Sequence, residues 1–196
     1  MNKARILVIL GTTREGRYGD KPAHWIVGRL NEHPQLDAEL VDLRDWPLPM
    51  FDRPVSPARV TDGEYGSDLA KAWAAKIAAA DGFVLVSPEY NHGYSAVLKN
   101  ALDWLFREWN RKPVSFVGYG AVGGARAIEQ LRQVAVELEM APIRRAVHLP
   151  VDVYLATLKE TAPADPALFA RAEPAAKLMV DEMAWWAVAL RRARAA

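Results

Sequence analysis

The chain contains no cysteine. That absence excludes disulfides, thiol redox chemistry, cysteine nucleophiles and thiolate metal sites together, so any redox work by this protein requires a cofactor. Net charge is nearly absent too. Twenty-five Lys and Arg stand against 24 Asp and Glu, a formal +1, which gives no global field to favour nucleic acid or an anionic membrane. The basic ending "RRARAA" is no more than a helix C-terminus attracts through its dipole, and it lacks the extent of a nucleic-acid footprint. Long hydrophobic runs are missing as well. The apolar run "RILVIL" near the N-terminus meets a polar glycine loop too soon for a secretory segment or a membrane span, so a cytoplasmic protein with no membrane partner is expected. Repeats and low-complexity tracts are not found. What remains is an ordinary globular composition, 51% hydrophobic and 25% charged over 196 residues, read as one domain spanning 1–196.

Buried strands and amphipathic helices alternate along the chain. "RILVIL" (5–10), "FVLV" (83–86) and "VSFVG" (114–118) are continuous apolar runs of the kind buried on both faces of a parallel sheet, and "AVHLP" (146–150) is a weaker one. Between them "KPAHWIVGRL", "DLAKAWAAKIAAAD", "SAVLKNALDWLFREW" and "ARAIEQLRQVAVELEM" carry apolar residues at helical spacing. Ser95 is placed as an N-cap. The alternation predicts an α/β doubly wound parallel sheet of five strands with helices on both faces. One connection is irregular: residues 46–62, "WPLPMFDRPVSPARVTD", hold Pro47, Pro49, Pro54 and Pro57, and so long a loop suggests a lid, a binding loop or an interface.

The first loop, "GTTREGRYGD" (11–20), follows a buried strand, where an anion would meet a helix N-terminus. It fails as a Walker A motif, because Arg17 stands at the lysine position and Tyr18 at the magnesium-binding hydroxyl. Nor is it a dinucleotide fingerprint, since its glycines fall at 11, 16 and 19; Asp42 or Asp45 after the second strand gives only a weak imitation of a ribose-binding acid. A single phosphate fits better. Turn N–H groups, the Thr12 and Thr13 hydroxyls and the Arg14 and Arg17 guanidiniums form a phosphomonoester cradle. Asp20 is the objection, unless it caps the following helix.

A second loop, "SPEYNHGYS" from Ser87, leaves the sheet at Pro88 and projects Glu89, Tyr90, Asn91 and His92 at the carboxyl edge. The third, "GYGAVGGAR" (118–126), has four glycines that allow a planar ligand to approach the backbone. In strand order 2-1-3-4-5 these loops border one crevice, at the switch point where such folds bind ligands. Lys99 and Asn100 sit inside the helix after the second loop and are expected to fix that helix. Asp103 is not assigned as a general base.

"PEYNHGYSAVLKNALDWL" resembles the P-E-Y-N-x-x-x-S-x-x-L-K-N-A-[IL]-D signature of the NADPH-dependent FMN reductase family, and "GTTREGRYG" resembles that family's phosphate loop. The resemblance implies a flavodoxin-like fold, non-covalent FMN, and hydride taken from NADPH or NADH and passed to a small-molecule acceptor such as a quinone, azo compound, free flavin or metal oxyanion. On matching positions it places Thr12, Arg14 and Arg17 at the FMN phosphate, and Thr13, Tyr18 and Gly19 of the same loop are expected among the cofactor-binding residues. Pro88, Glu89, Tyr90, Asn91 and His92 would border the isoalloxazine ring, with Tyr119 and Gly120 on its pyrimidine side. No side-chain nucleophile and no metal is implied, because the flavin carries the chemistry. The chain departs from the family at Arg17, where many members have serine, and near Gly19, where they have asparagine. Two other readings stay open: a flavodoxin-type electron carrier, against which the near-neutral charge weighs, and a redox-sensing flavin module. Trp104, Trp109, Trp185 and Trp186, all on predicted helices, suggest a subunit interface and hence a homodimer or homotetramer.

Overall fold

The computed structural model describes residues 2–196. Its sheet is parallel, in the order β2-β1-β3-β4-β5, built from β1 (Ala4–Leu10), β2 (Leu36–Asp42), β3 (Gly82–Pro88), β4 (Pro113–Tyr119) and β5 (Ala141–Pro142), with β6 (Val147–His148) also on β4. The runs expected to be buried on both faces are so. Ile6, Val8 and Leu10 of β1 join one apolar cluster, and Leu7 and Ile9 join the other.

Six helices cover the two faces: α1 (Asp20–Asn31), α2 (Asp68–Ala78), α3 (Ala96–Asp103), α4 (Ala125–Glu137), α5 (Val151–Thr157) and α6 (Glu173–Ala195). Trp25, Ile26 and Leu30 of α1 pack on one face with Met179 and Met183 of α6. The other face takes Trp73 and Ile77 of α2, Leu98 and Leu102 of α3, and Ile128 and Leu131 of α4. Helices α1 and α3, which follow neighbouring strands, therefore lie on opposite faces, and the loops leading into them diverge at the carboxyl edge. That divergence opens the crevice.

Four expectations need correction. The fifth strand position is not one strand at 146–150; β4 pairs with Ala141–Pro142 and then with Val147–His148. The Ala141 and Ile143 N–H groups donate to Lys112 O and Val114 O at 2.9 and 3.0 Å, and the gap that follows is bridged by Ser115 Oγ, which donates to the Arg145 carbonyl at 2.7 Å. The third helix stops at Asp103, short of the "DWLFREW" run. Trp104 and Trp109 lie beyond it and are buried in the core, not outward on a helix. Ser95 does cap α3, accepting the Leu98 N–H at 3.2 Å. Asp20 caps nothing, since α1 begins at Asp20 with no side-chain cap.

Candidate active site

The loop from Gly11 to Gly19 is held from three sides. Gly11 N–H donates to Val86 O at 2.9 Å, and Ser95 Oγ donates to the Gly11 carbonyl, tying the loop to the cap of α3. Arg44, a residue sequence reasoning passed over, reaches back so that its Nε donates to Thr13 O at 3.2 Å and its Nη2 to Arg14 O at 2.7 Å. Within the loop only the Gly11 and Arg17 N–H groups donate to backbone carbonyls.

The two arginines of this loop have separate fates. Arg17 is 6% exposed, and its guanidinium is saturated. Nε donates to Asp20 Oδ1 and Oδ2 at 2.9 and 3.1 Å, Nη1 to Thr12 O and to Asp42 Oδ1 at 2.6 Å each, and Nη2 to both carboxylates. Burial works against its charge, but the hydrogen bonds and fields of Asp42 and Asp20 outweigh burial and raise its pKa. Asp42 is the mirror image: burial lifts its carboxyl most, yet Arg17 and the Arg44 N–H together hold it below the ordinary value. Arg17 is thus corrected from phosphate donor to internal brace. The same network answers the objection raised by Asp20 and removes Asp42 as a ribose partner. Arg14, by contrast, is exposed, with its guanidinium carbon 5.6 Å from the Tyr90 ring centroid and no ion pair among the described residues. It is the loop's available cation.

Tyr90 joins the first loop to the second, as its hydroxyl lies 3.0 Å from Thr12 Oγ1. Residues 90–93 close a tight turn, with Tyr90 and Gly93 exchanging N–H···O bonds of 2.8 and 2.9 Å. Asn91 and His92 occupy the left-handed region at φ 50° and 71°, as asparagine tolerates and histidine more rarely does. Both are exposed, and neither is among the residues that line the cleft described below.

Glu89 does not turn its carboxylate into the cleft. The side chain is 4% exposed and ion-paired with Arg126; it accepts from Arg126 N–H at 3.0 Å and from Arg126 Nε at 2.6 Å. Burial would raise its pKa, but these donors from the start of α4 outweigh burial and lower it. What Glu89 offers the cleft is backbone and stem. Its N–H donates to Tyr119 O at 3.0 Å, and a Cβ on Gly120 (φ 136°) would come within 3.3 Å of Glu89 Cβ, so the second and third loops meet edge to edge.

Tyrosines form the inner wall. Tyr18 packs edge-on against Tyr119 and Tyr154, with ring centroids 5.0 and 4.5 Å away, and its hydroxyl lies 2.6 Å from Thr157 Oγ1. Burial, only partly offset by that bond, pushes its pKa up to about 12. Tyr154 and Thr157 belong to α5 and were not foreseen; no pattern in the sequence tells where α5 docks. Tyr119 is buried, and its hydroxyl has no hydrogen-bond partner among the described residues. It lies beside Gly19, where a Cβ would come within 2.7 Å of it; Gly19 is there for close approach. Burial raises the Tyr119 pKa well above the ordinary phenol value.

Arg14, Tyr18, Pro88, Glu89, Tyr90, Tyr119, Gly120 and Tyr154 line a cleft of about 350 Å³ with its open mouth included. Its chemistry suits a phosphorylated planar cofactor: an uncommitted guanidinium beside the head of α1, flush backbone at Gly120, aromatic walls, and a buried hydroxyl lacking the partner such groups nearly always have. FMN is such a group, and these residues fit it.

Comparison with known proteins agrees with this chemistry. Residues 4–153 match the family model described as NADPH-dependent FMN reductase. An NAD(P)H-dependent FMN reductase of Schizosaccharomyces pombe is 46% identical over 150 residues, covering 76% of this chain and 74% of the relative. A 2-hydroxy-1,4-benzoquinone reductase of a Burkholderia species is 34% identical over 69% of this chain and 72% of its own length. Among solved structures, the NAD(P)H:(acceptor) oxidoreductase FerB of Paracoccus denitrificans shares the fold with a TM-score of 0.68 at 20% identity, over 94% of this chain and 97% of that one. The chain belongs to the NADPH-dependent FMN reductase family.

Proposed function

We propose that this protein is an FMN-dependent oxidoreductase that takes hydride from NADPH or NADH and delivers two electrons to a small organic acceptor, a quinone first and an azo compound, free flavin or metal oxyanion as further candidates. One observation carries the reading: the three loops after β1, β3 and β4 converge on a single cleft that pairs a free guanidinium with backbone smooth enough for a planar ring. FMN, when bound, supplies the two-electron carrier that such an exchange requires.

The protein's share is binding and orientation. Arg14 and the N–H groups of Thr12 and Thr13 hold the phosphate; Arg17 contributes by fixing the loop, not by touching the anion. Pro88, the Glu89 backbone, Tyr90 and Gly120 border the ring, and Asn91 and His92 stand on the rim where donor and acceptor arrive. Tyr18 and Tyr119 exclude water from the inner wall. An electron carrier would present a strongly acidic docking face, which a net charge of +1 does not favour. Steady-state NADPH oxidation with a benzoquinone distinguishes the two. Multiple turnovers per FMN support the enzyme, and NADPH oxidation in the presence of the quinone that is no faster than without the protein supports the carrier.

The whole chain, 1–196, is taken as one FMN-binding domain, working in the cytoplasm as a homodimer or homotetramer. No described helix is long and apolar enough to cross a membrane. For the oligomer, Trp185 is 65% exposed on α6, two turns from exposed Leu178, and Trp186 is half-buried. Sedimentation showing only a 21.8 kDa species at micromolar concentration would remove that assignment.

A further inference from the structure

The proline-rich connection between β2 and α2 encloses a second cleft of about 630 Å³, open mouth included, which shares no lining residue with the first. Its apolar wall is anchored. The Phe51 ring stands edge-on to Trp104, centroids 5.4 Å apart, and Trp104 Nε1 donates to Pro49 O at 2.8 Å. Asn100, buried on α3, binds the loop on both of its faces: its Nδ2 donates to Leu48 O and Pro49 O at 3.2 and 2.9 Å, and its Oδ1 accepts the Phe51 N–H at 2.9 Å. Val60 completes the apolar side. A cleft with a preformed aromatic wall and a few polar groups is the usual form of a small-molecule site.

The charged side is unbalanced. Arg53 and Arg59 both line the cleft, and neither has an ion pair or a side-chain hydrogen bond among the described residues. Arg53 is nonetheless placed, because its guanidinium lies over the Gly66 backbone, where a Cβ would approach it to 2.3 Å. Of the acids at the same cleft, Glu64 is already paired with Lys71 at 2.8 Å, and Asp62 accepts the Glu64 N–H at 3.0 Å. Two uncommitted guanidiniums therefore face one carboxylate, a surplus that suits one negative charge and repels a second cation.

We propose that this cleft is a second binding site, taking a planar aromatic monoanion such as an aromatic carboxylate or sulfonate. The ring lies along Phe51 and Trp104, and the anionic group lies between Arg53 and Arg59. The site does not depend on the flavin reading, since it has its own walls and its own charges.

Calorimetric titration of the FMN-loaded full chain with 1-naphthalenesulfonate tests it, with neutral 1-naphthalenemethanol as the matched probe. The expected result is one sulfonate per chain, at least tenfold weaker binding of the neutral probe, and at least tenfold weaker sulfonate binding by the Arg53→Gln/Arg59→Gln variant. That variant should keep wild-type FMN stoichiometry and Tm. Phe51→Ala should weaken both probes alike. Undiminished sulfonate binding by the double variant, no binding to the wild type, or release of FMN during the titration would each overturn the proposal. A chain that does not take up FMN is titrated as it is; that failure counts against the flavin reading, while the arginine dependence still decides this one.

Discussion

Two arginines three positions apart divide the work of the first loop. Arg14 is free to meet an anion, while every donor of Arg17 is spent on Asp20, Asp42 and the Thr12 carbonyl. Arg14→Ala should weaken FMN binding tenfold or more with little change in Tm, as a charge-assisted bond to phosphate is lost from an exposed site. Arg17→Ala should do the reverse in stability: two carboxylates would be left facing each other, costing roughly 2–4 kcal/mol once their partial exposure is allowed for. Titration and thermal unfolding of both variants check this, and equal loss of FMN affinity without a fall in Tm for Arg17→Ala would contradict it. The pairing also sets an acid limit. Asp42 has its pKa lowered in the folded chain, so its contribution is present above the ordinary carboxylate value near 3.8 and is lost as pH falls through the lowered folded value. Unfolding followed from pH 5 downward should show a stability loss in the wild type that is smaller in Asp42→Asn. The sequence displayed both arginines as equal candidates because the partner that separates them, Asp42, lies 25 residues away on the next strand, and no local spacing encodes which guanidinium it captures.

Between elements, the strut from Glu89 to Arg126 fastens the loop after β3 to the first turn of α4, and so sets how the second and third loops meet. Glu89→Gln and Arg126→Gln should each reduce FMN affinity several-fold, and the double variant should lose no more than the worse single one. A coupling of about 1–2 kcal/mol in the double-mutant cycle is the expected result; strict additivity would mean the strut positions nothing. A second strut, Lys112, makes a different prediction. Its ammonium is buried and donates to Ile77 O and Ala78 O at 2.8 and 2.9 Å, satisfying the last carbonyls of α2. Burial pulls its pKa down to about 8, from 10.5. The folded chain therefore releases a proton near pH 8 that the unfolded chain keeps until about 10.5, so this group makes stability rise with pH in that interval. Between pH 8 and 10 the rise should be roughly 2–3 kcal/mol at most, and Lys112→Met should abolish it in denaturant unfolding. The order of elements was legible because apolar runs and helical spacing are local signals. The end of α3 and the split at the last sheet position were not, since the helix stops at a Trp104 cap whose indole bonds Pro49, and pairing with β4 lapses between Ile143 and Val147.

Across the whole molecule, a sheet buried on both faces provides the frame, and the loops at its carboxyl edge provide the chemistry. Composition and loop motifs were enough to point to the cleft, because glycine, arginine and the "PEYN" stretch must sit beside each other once strands 1, 3 and 4 are adjacent. The wall supplied by Tyr154 and the brace supplied by Arg44 come from tertiary docking alone, and so appear only in the folded chain. The most direct test of the account is the visible spectrum of the purified protein after incubation with FMN, followed by anaerobic NADPH and then a benzoquinone. The expected result is a protein-bound flavin spectrum, close to one FMN per chain, that bleaches with NADPH and returns with the quinone. Failure to retain FMN at saturating concentration, or bound flavin that NADPH cannot bleach, would contradict it.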